Sequence, residues 1–110
     1  MSHFTKIKAV VEFAYIYATF AQNLYKTATP ISEEKLRKCN ATVLRYCTLD
    51  GDTVYLLKSY DTIVAMVDED GDGIDFLRHV YSYTATSAQH IRKFFVDYCR
   101  DDADIYIYKP

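Results

Sequence analysis

Over the first 40 positions, apolar and polar residues follow the period of a helix. Apolar side chains recur three or four positions apart across residues 4–25, which places them on one broad face of an amphipathic helix. Pro30 ends this pattern. Ser32 is a good N-terminal cap, and the two glutamates after it suit the positive end of a helix dipole. A second, short helix is therefore predicted from Ser32 to about Asn40.

From residue 41 the pattern changes to short segments rich in β-branched and aromatic residues, which is typical of strands. The pair Asp50-Gly51 between the first two segments is a strong hairpin signal. Thr86 and Gln89 have the spacing of a capping box, so a helix is predicted at 86–100. The predicted strands are 41–49, 53–59, 62–67, 74–84 and 104–108.

The order of these elements predicts an α+β fold. Consecutive hairpins favour an antiparallel sheet, here of about four to five strands. We expect the long N-terminal helix and the C-terminal helix to lie on one face of that sheet. A chain of 110 residues has the size of one domain, with a helical part at 1–40 and the sheet at 41–110.

Composition and charge exclude several classes of function. Hydrophobic residues make up 50% of the chain and charged residues 25%, as in ordinary globular proteins. Residues 1–45 hold seven basic and three acidic residues, whereas 46–110 hold six basic and twelve acidic ones. This asymmetry is weaker than a nucleic-acid surface requires. We expect no membrane segment, since no run of about 18 apolar residues occurs. An odd number of cysteines without a CxxC pair, and no secretory signal, favour the cytoplasm.

An acidic stretch between the third and fourth predicted strands resembles the start of an EF-hand loop. Asp68, Asp70 and Asp72 occupy positions 1, 3 and 5, and a glycine follows them. Position 12 is His79 instead of the required glutamate, and a strand precedes the loop where an EF-hand has a helix. We therefore expect a hairpin loop without a specific metal, with weak calcium binding as the alternative.

No known catalytic motif occurs in the sequence, so we expect a protein that is not an enzyme and holds no cofactor. Basic and histidine side chains do gather around the start of the last helix, where an anion can bind. They are Arg78, His90, Arg92 and Lys93. The alternative is that these residues form the solvated polar face of a capped helix.

Tyrosine is unusually common, with 11 residues against no tryptophan. Because residues i and i+2 of a strand share a face, Tyr81 lies on the same face as Tyr83, and Tyr106 lies on the same face as Tyr108. If Ile105 and Ile107 on the opposite face point to the helices, Tyr106 and Tyr108 point outward. Outward tyrosines suit contact with a protein partner. The alternative is cross-strand pairing that only stabilises the sheet.

Two segments of the chain resemble a small domain of unknown function that is common in phages and other mobile elements. They are 59–65 (SYDTIVA) and 83–94 (YTATSAQHIRKF), against a pattern of the form SYxTxVA followed by YSxTTSxHIxxF. Thr84, Ser87 and Ala88 stand where the pattern has Ser, Thr and Ser. The resemblance covers about forty residues and implies a phage or prophage origin. It implies no particular chemistry.

Together these features favour a small phage-type accessory protein that binds a host protein in the cytoplasm of a bacterium. Inhibition of a defence system, such as a CRISPR nuclease, is the most concrete form of this hypothesis. One alternative is a nucleic-acid-binding module that uses Tyr81 and Tyr83 with the basic residues Arg78, His79, Arg92 and Lys93. Another is a self-assembling structural protein that forms a homodimer through the N-terminal helix.

Overall fold

The computed structural model of the protein describes residues 9–11, 15–37, 40–76 and 85–108. Two helices lie within these ranges, α1 (Tyr15–Thr27) and α2 (Ala85–Tyr98). The strands are β1 (Ala9–Val11), β2 (Ser32–Lys35), β3 (Ala41–Cys47), β4 (Thr53–Ser59), β5 (Thr62–Val67), β6 (Gly73–Asp75) and β7 (Ile105–Tyr108). The predicted α+β class is confirmed.

The strands form one mixed sheet in the order β1-β7-β6-β5-β4-β3-β2. Strands β2 to β6 pair antiparallel in chain order, whereas β7 runs parallel to both β6 and β1. The prediction of a purely antiparallel sheet was therefore wrong. The reason is that α2 lies between β6 and β7, and a helical crossover returns the chain in the same direction as the strand it left.

The two helices pack on opposite faces of the sheet, so the prediction that both lie on one face was also wrong. Strand β5 has five consecutive buried residues after Thr62, which is the pattern of a strand covered on both faces. On the face of α2, the core comprises Leu36, Ala41, Val43, Leu57, Val64, Ala65, Val67, Ile91, Phe94, Phe95, Ala103 and Ile105. On the face of α1, it comprises Ala21, Leu44, Tyr46, Val54, Leu56, Ile63, Met66, Ile74 and Phe76.

The N-terminal part contains less helix than the sequence predicts. Instead of one helix over 4–25, strand β1 occupies Ala9–Val11 and α1 begins at Tyr15, while 1–8 and 12–14 lie outside the described residues. The predicted short helix from Ser32 is wrong, because Ser32–Lys35 forms β2 and pairs with residues 42–45 of β3. In both places, pairing with a distant strand outweighs local helix propensity.

The central hairpins agree with the predicted strands. Strands β3, β4 and β5 fall within the predicted segments, and Gly51 takes the positive φ of 85° that its turn requires. The fourth predicted strand is confirmed only as the short β6, and 77–84 lie outside the described residues. No helix among the described residues is long and apolar enough to cross a membrane.

Candidate functional site

A buried group of polar side chains joins the end of β4 to the first turns of α2. The Oγ atom of Ser59 lies 2.9 Å from Nδ1 of His90 and 3.1 Å from Oγ of Ser87. All three residues are buried, and the ring of Tyr60 lies 5.9 Å from that of His90. In the sequence, Ser59 lies 28 positions before Ser87 and 31 positions before His90, and the fold brings the three residues together.

The electrostatics of this Ser59–Ser87–His90 cluster indicate a neutral imidazole. Burial lowers the pKa of His90 below its ordinary value, and the nearby charge of Lys93 lowers it further. A catalytic serine must also reach a substrate, whereas Ser59 is only 3% exposed. The cluster therefore acts as an internal hydrogen-bonded contact that holds α2 against the C-terminal end of β4.

A second candidate site is a groove on the α2 face of β2, β3 and β4. It has a volume of about 110 Å³ and is lined by Ser32, Glu34, Val43, Arg45, Tyr55 and Tyr98. The pairing of the strands explains why three of these residues lie side by side. Ser32 pairs with Arg45, and Arg45 pairs with Tyr55, so the three form one row across the sheet. Tyr98 reaches this row from the last turn of α2, and its ring centroid lies 5.0 Å from that of Tyr55. We call this site the tyrosine groove.

Charges in the tyrosine groove are partly paired. The hydroxyl of Tyr98 donates to the carboxylate of Glu34 at 3.4 Å. Burial is the main cause that raises the pKa of Tyr98, and the negative charge of Glu34 raises it further. Beside the groove, Arg37 donates twice to Asp97, at 2.8 and 2.6 Å. Arg45 is exposed and forms no side-chain hydrogen bond or ion pair within the described part of the chain. The groove thus offers two aromatic rings beside the guanidinium group of Arg45, which pairs with none of the described residues.

The acidic loop joins β5 to β6 as a hairpin, as the sequence predicts. The carboxylates of Asp68, Asp70 and Asp72 have ligand atoms within 4.8 Å of one another. Asp68 Oδ1 accepts hydrogen bonds from the backbone N–H groups of Asp70 and Asp72. Burial and the neighbouring carboxylates nevertheless raise the pKa of Asp68.

Arg100 holds this loop from the end of α2. Its guanidinium donates to Asp72 Oδ1 at 2.8 Å and to the carbonyl oxygen of Asp70 at 3.0 Å. Asp72 Oδ1 also accepts from the backbone N–H of Asp104 at 3.0 Å. One oxygen of the most buried carboxylate, Oδ1 of Asp72, therefore already accepts hydrogen bonds from two protein donors.

The other predicted contact residues are scattered. Arg78, Tyr81 and Tyr83 lie outside the described residues, as does the side chain of Tyr108. His90 points inward to Ser59, Arg92 is exposed and Lys93 is half-buried. Tyr106 is half-buried against the core on the α1 face, while Ile105 packs on the α2 face. Because helices cover both faces, the outward side that we expected for Tyr106 is a packed one.

Sequence reasoning missed the residues of the tyrosine groove. Tyr55 and Tyr98 belong to different predicted elements, and no short motif links them. The available signal was the alternation along β3 and β4, which places Val43 and Arg45 on one face with Tyr55.

Comparison of the chain with known proteins identifies no similar protein. No family model matches the chain, and neither a curated protein nor a solved structure matches it.

Proposed function

We propose that the protein is a small, non-catalytic binding protein whose tyrosine groove receives a side chain of a partner protein. The observation that carries this proposal is the pair Tyr55 and Tyr98 beside the guanidinium group of Arg45. Tyrosine and arginine are the residue types that dominate binding energy at protein interfaces, together with tryptophan. Tyrosine also provides a large contact area at a small cost in conformational entropy.

The size of the groove favours a protein partner over a free small molecule. Sites for small ligands usually have volumes of roughly 300–1,000 Å³. A volume of about 110 Å³ suits one side chain of a larger partner. Arg45 is available to pair with a carboxylate of that side chain, because it forms no ion pair with the described residues.

Nucleic acid is a less suitable partner for this surface. The carboxylate of Glu34 lines the groove and repels phosphate groups. The choice of a host protein, and of a defence nuclease in particular, rests on the resemblance to mobile-element domains alone. In that form, the protein acts in the cytoplasm of an infected or lysogenic bacterium.

The proposal is tested by affinity capture from a bacterial lysate with three baits. They are the natural protein, Arg45→Glu and Arg92→Glu. Arg92 is a matched control, since it is an exposed arginine on the outer side of α2. We expect a captured protein that is lost with Arg45→Glu and kept with Arg92→Glu.

Photo-crosslinking places the contact more directly. A photoreactive amino acid at position 45 should crosslink the captured protein, and the same group at position 92 should not. Capture that does not depend on Arg45, or no capture at all, contradicts the proposal. Binding of single-stranded DNA that weakens steeply with salt would support the nucleic-acid function instead.

A further inference from the structure

We propose that the free edge of β2 pairs with β2 of a second copy of the chain, so that two sheets join into one. The proposal does not rest on the function proposed above. Strand β2 is the last strand of the sheet, and β3 is its only partner among the described strands. Glu33, Glu34 and Lys35 are all exposed, so the outer side of the strand is open to solvent in the described structure.

The phase of the hydrogen bonds shows which backbone groups face the free edge. The N–H of Leu36 donates to the carbonyl of Ala41, which makes these two residues a hydrogen-bonded pair of the β2–β3 ladder. Such pairs recur at every second residue of an antiparallel ladder. Glu34 therefore bonds toward β3, while the N–H and C=O groups of Glu33 and Lys35 point outward.

These four outward groups match an antiparallel second copy in one register. When Glu33 lies opposite the partner's Lys35, and Lys35 opposite the partner's Glu33, all four groups form hydrogen bonds between the copies. The same register places a glutamate beside a lysine twice, on the α1 face. The registers shifted by two residues place Glu33 opposite itself or Lys35 opposite itself, and like charges directly opposite are unfavourable.

The same register has one unfavourable contact, which makes the proposal specific. Glu34 stands opposite the partner's Glu34 on the two-fold axis, and both carboxylates lie on the α2 face. Helix α2 packs mainly on β4 and β5, and its last turn reaches β2 through the hydrogen bond from Tyr98 to Glu34. A paired edge of only four residues on each side belongs to the class of weak, small interfaces.

The test measures the dimer dissociation constant by sedimentation equilibrium at high protein concentration and low salt. Glu33→Lys and Lys35→Glu each turn two attractive pairs into repulsive ones, so each should weaken the dimer by about tenfold or more. The double variant Glu33→Lys with Lys35→Glu restores opposite charges and should return to about the natural affinity. Glu34→Gln removes the repulsion on the axis and should tighten the dimer several-fold.

Lys35→Pro provides a backbone test with the fold preserved. It removes an N–H that points outward and that β3 does not use, so dimerisation should be lost while the melting temperature changes little. A protein that stays monomeric at every concentration overturns the proposal. A dimer that is insensitive to the charge changes also overturns it, because another surface, such as the N-terminal helix, would then hold the copies together.

Discussion

Replacement of Ser59 by alanine tests the role assigned to the buried polar cluster. Ser59 Oγ lies within hydrogen-bond distance of both His90 Nδ1 and Ser87 Oγ, and alanine removes both contacts without adding volume. A buried polar group that loses its partner costs about 1–3 kcal/mol. Unfolding entropy of roughly 2.1 cal/mol/K per residue makes each kcal/mol equal to about 4 °C for a chain of this length. We expect the melting temperature to fall by about 4–13 °C.

The measurement is a thermal melt at neutral pH, monitored by circular dichroism. Ser32→Ala is the matched control, because it is also a serine in a strand but is half-exposed, and it should change the stability by less than about 0.5 kcal/mol. A Ser59→Ala protein that melts within about 2 °C of the natural one would refute the reasoning. Such a result would mean that water satisfies the imidazole and that the cluster does not fasten α2 to the sheet.

Three other predictions follow from the charged and reactive groups. Because burial lowers the pKa of His90 in the folded state, the free energy of unfolding should be greatest above about pH 6.5 and fall as the pH drops from there through the folded pKa. Urea melts at neutral and mildly acidic pH should show a smaller loss of stability for His90→Asn than for the natural protein. Since Arg100 bonds to the acidic loop, millimolar calcium should leave the melting temperature unchanged, whereas Arg100→Ala should lower stability by about 1–2 kcal/mol; a clear rise with calcium would show that the ion displaces the guanidinium. An alkylating reagent followed by mass spectrometry should modify the exposed Cys47 quickly and Cys99 slowly, because burial raises the pKa of Cys99 to about 12; equal rates would contradict this order.

The sequence predicted the parts of the fold that local chemistry determines. Strands β3 to β5 have strong β-forming composition, and the turn at Gly51 depends on neighbouring residues only. Ser32–Lys35 shows the limit of this approach. A serine followed by two glutamates satisfies the rules for a helix start, but the ladder to residues 42–45 stabilises a strand there. That ladder depends on residues seven to thirteen positions away, which a local rule does not consider.

The candidate sites differ in the same way. His90 was predicted from the sequence as a contact residue, but its hydrogen bond to Ser59 was not predicted. Tyr55 and Tyr98 meet only because α2 crosses the sheet and its last turn reaches β4. This contact depends on which face of the sheet each helix covers. We predicted both helices on one face, whereas they lie on opposite faces.

Glu34 connects the tyrosine groove to the free edge of β2, since its carboxylate lines the groove and its backbone belongs to the edge strand. In the proposed dimer, the charge of Glu34 opposes the same charge on the second copy. A partner that places a cation beside Glu34 reduces this repulsion and therefore strengthens the dimer, and by linkage the dimer then binds that partner more tightly. A partner that pairs only with Arg45 leaves the charge of Glu34 in place and has no such effect through this group. Whether partner binding strengthens dimerisation therefore identifies which charged group of the groove the partner contacts.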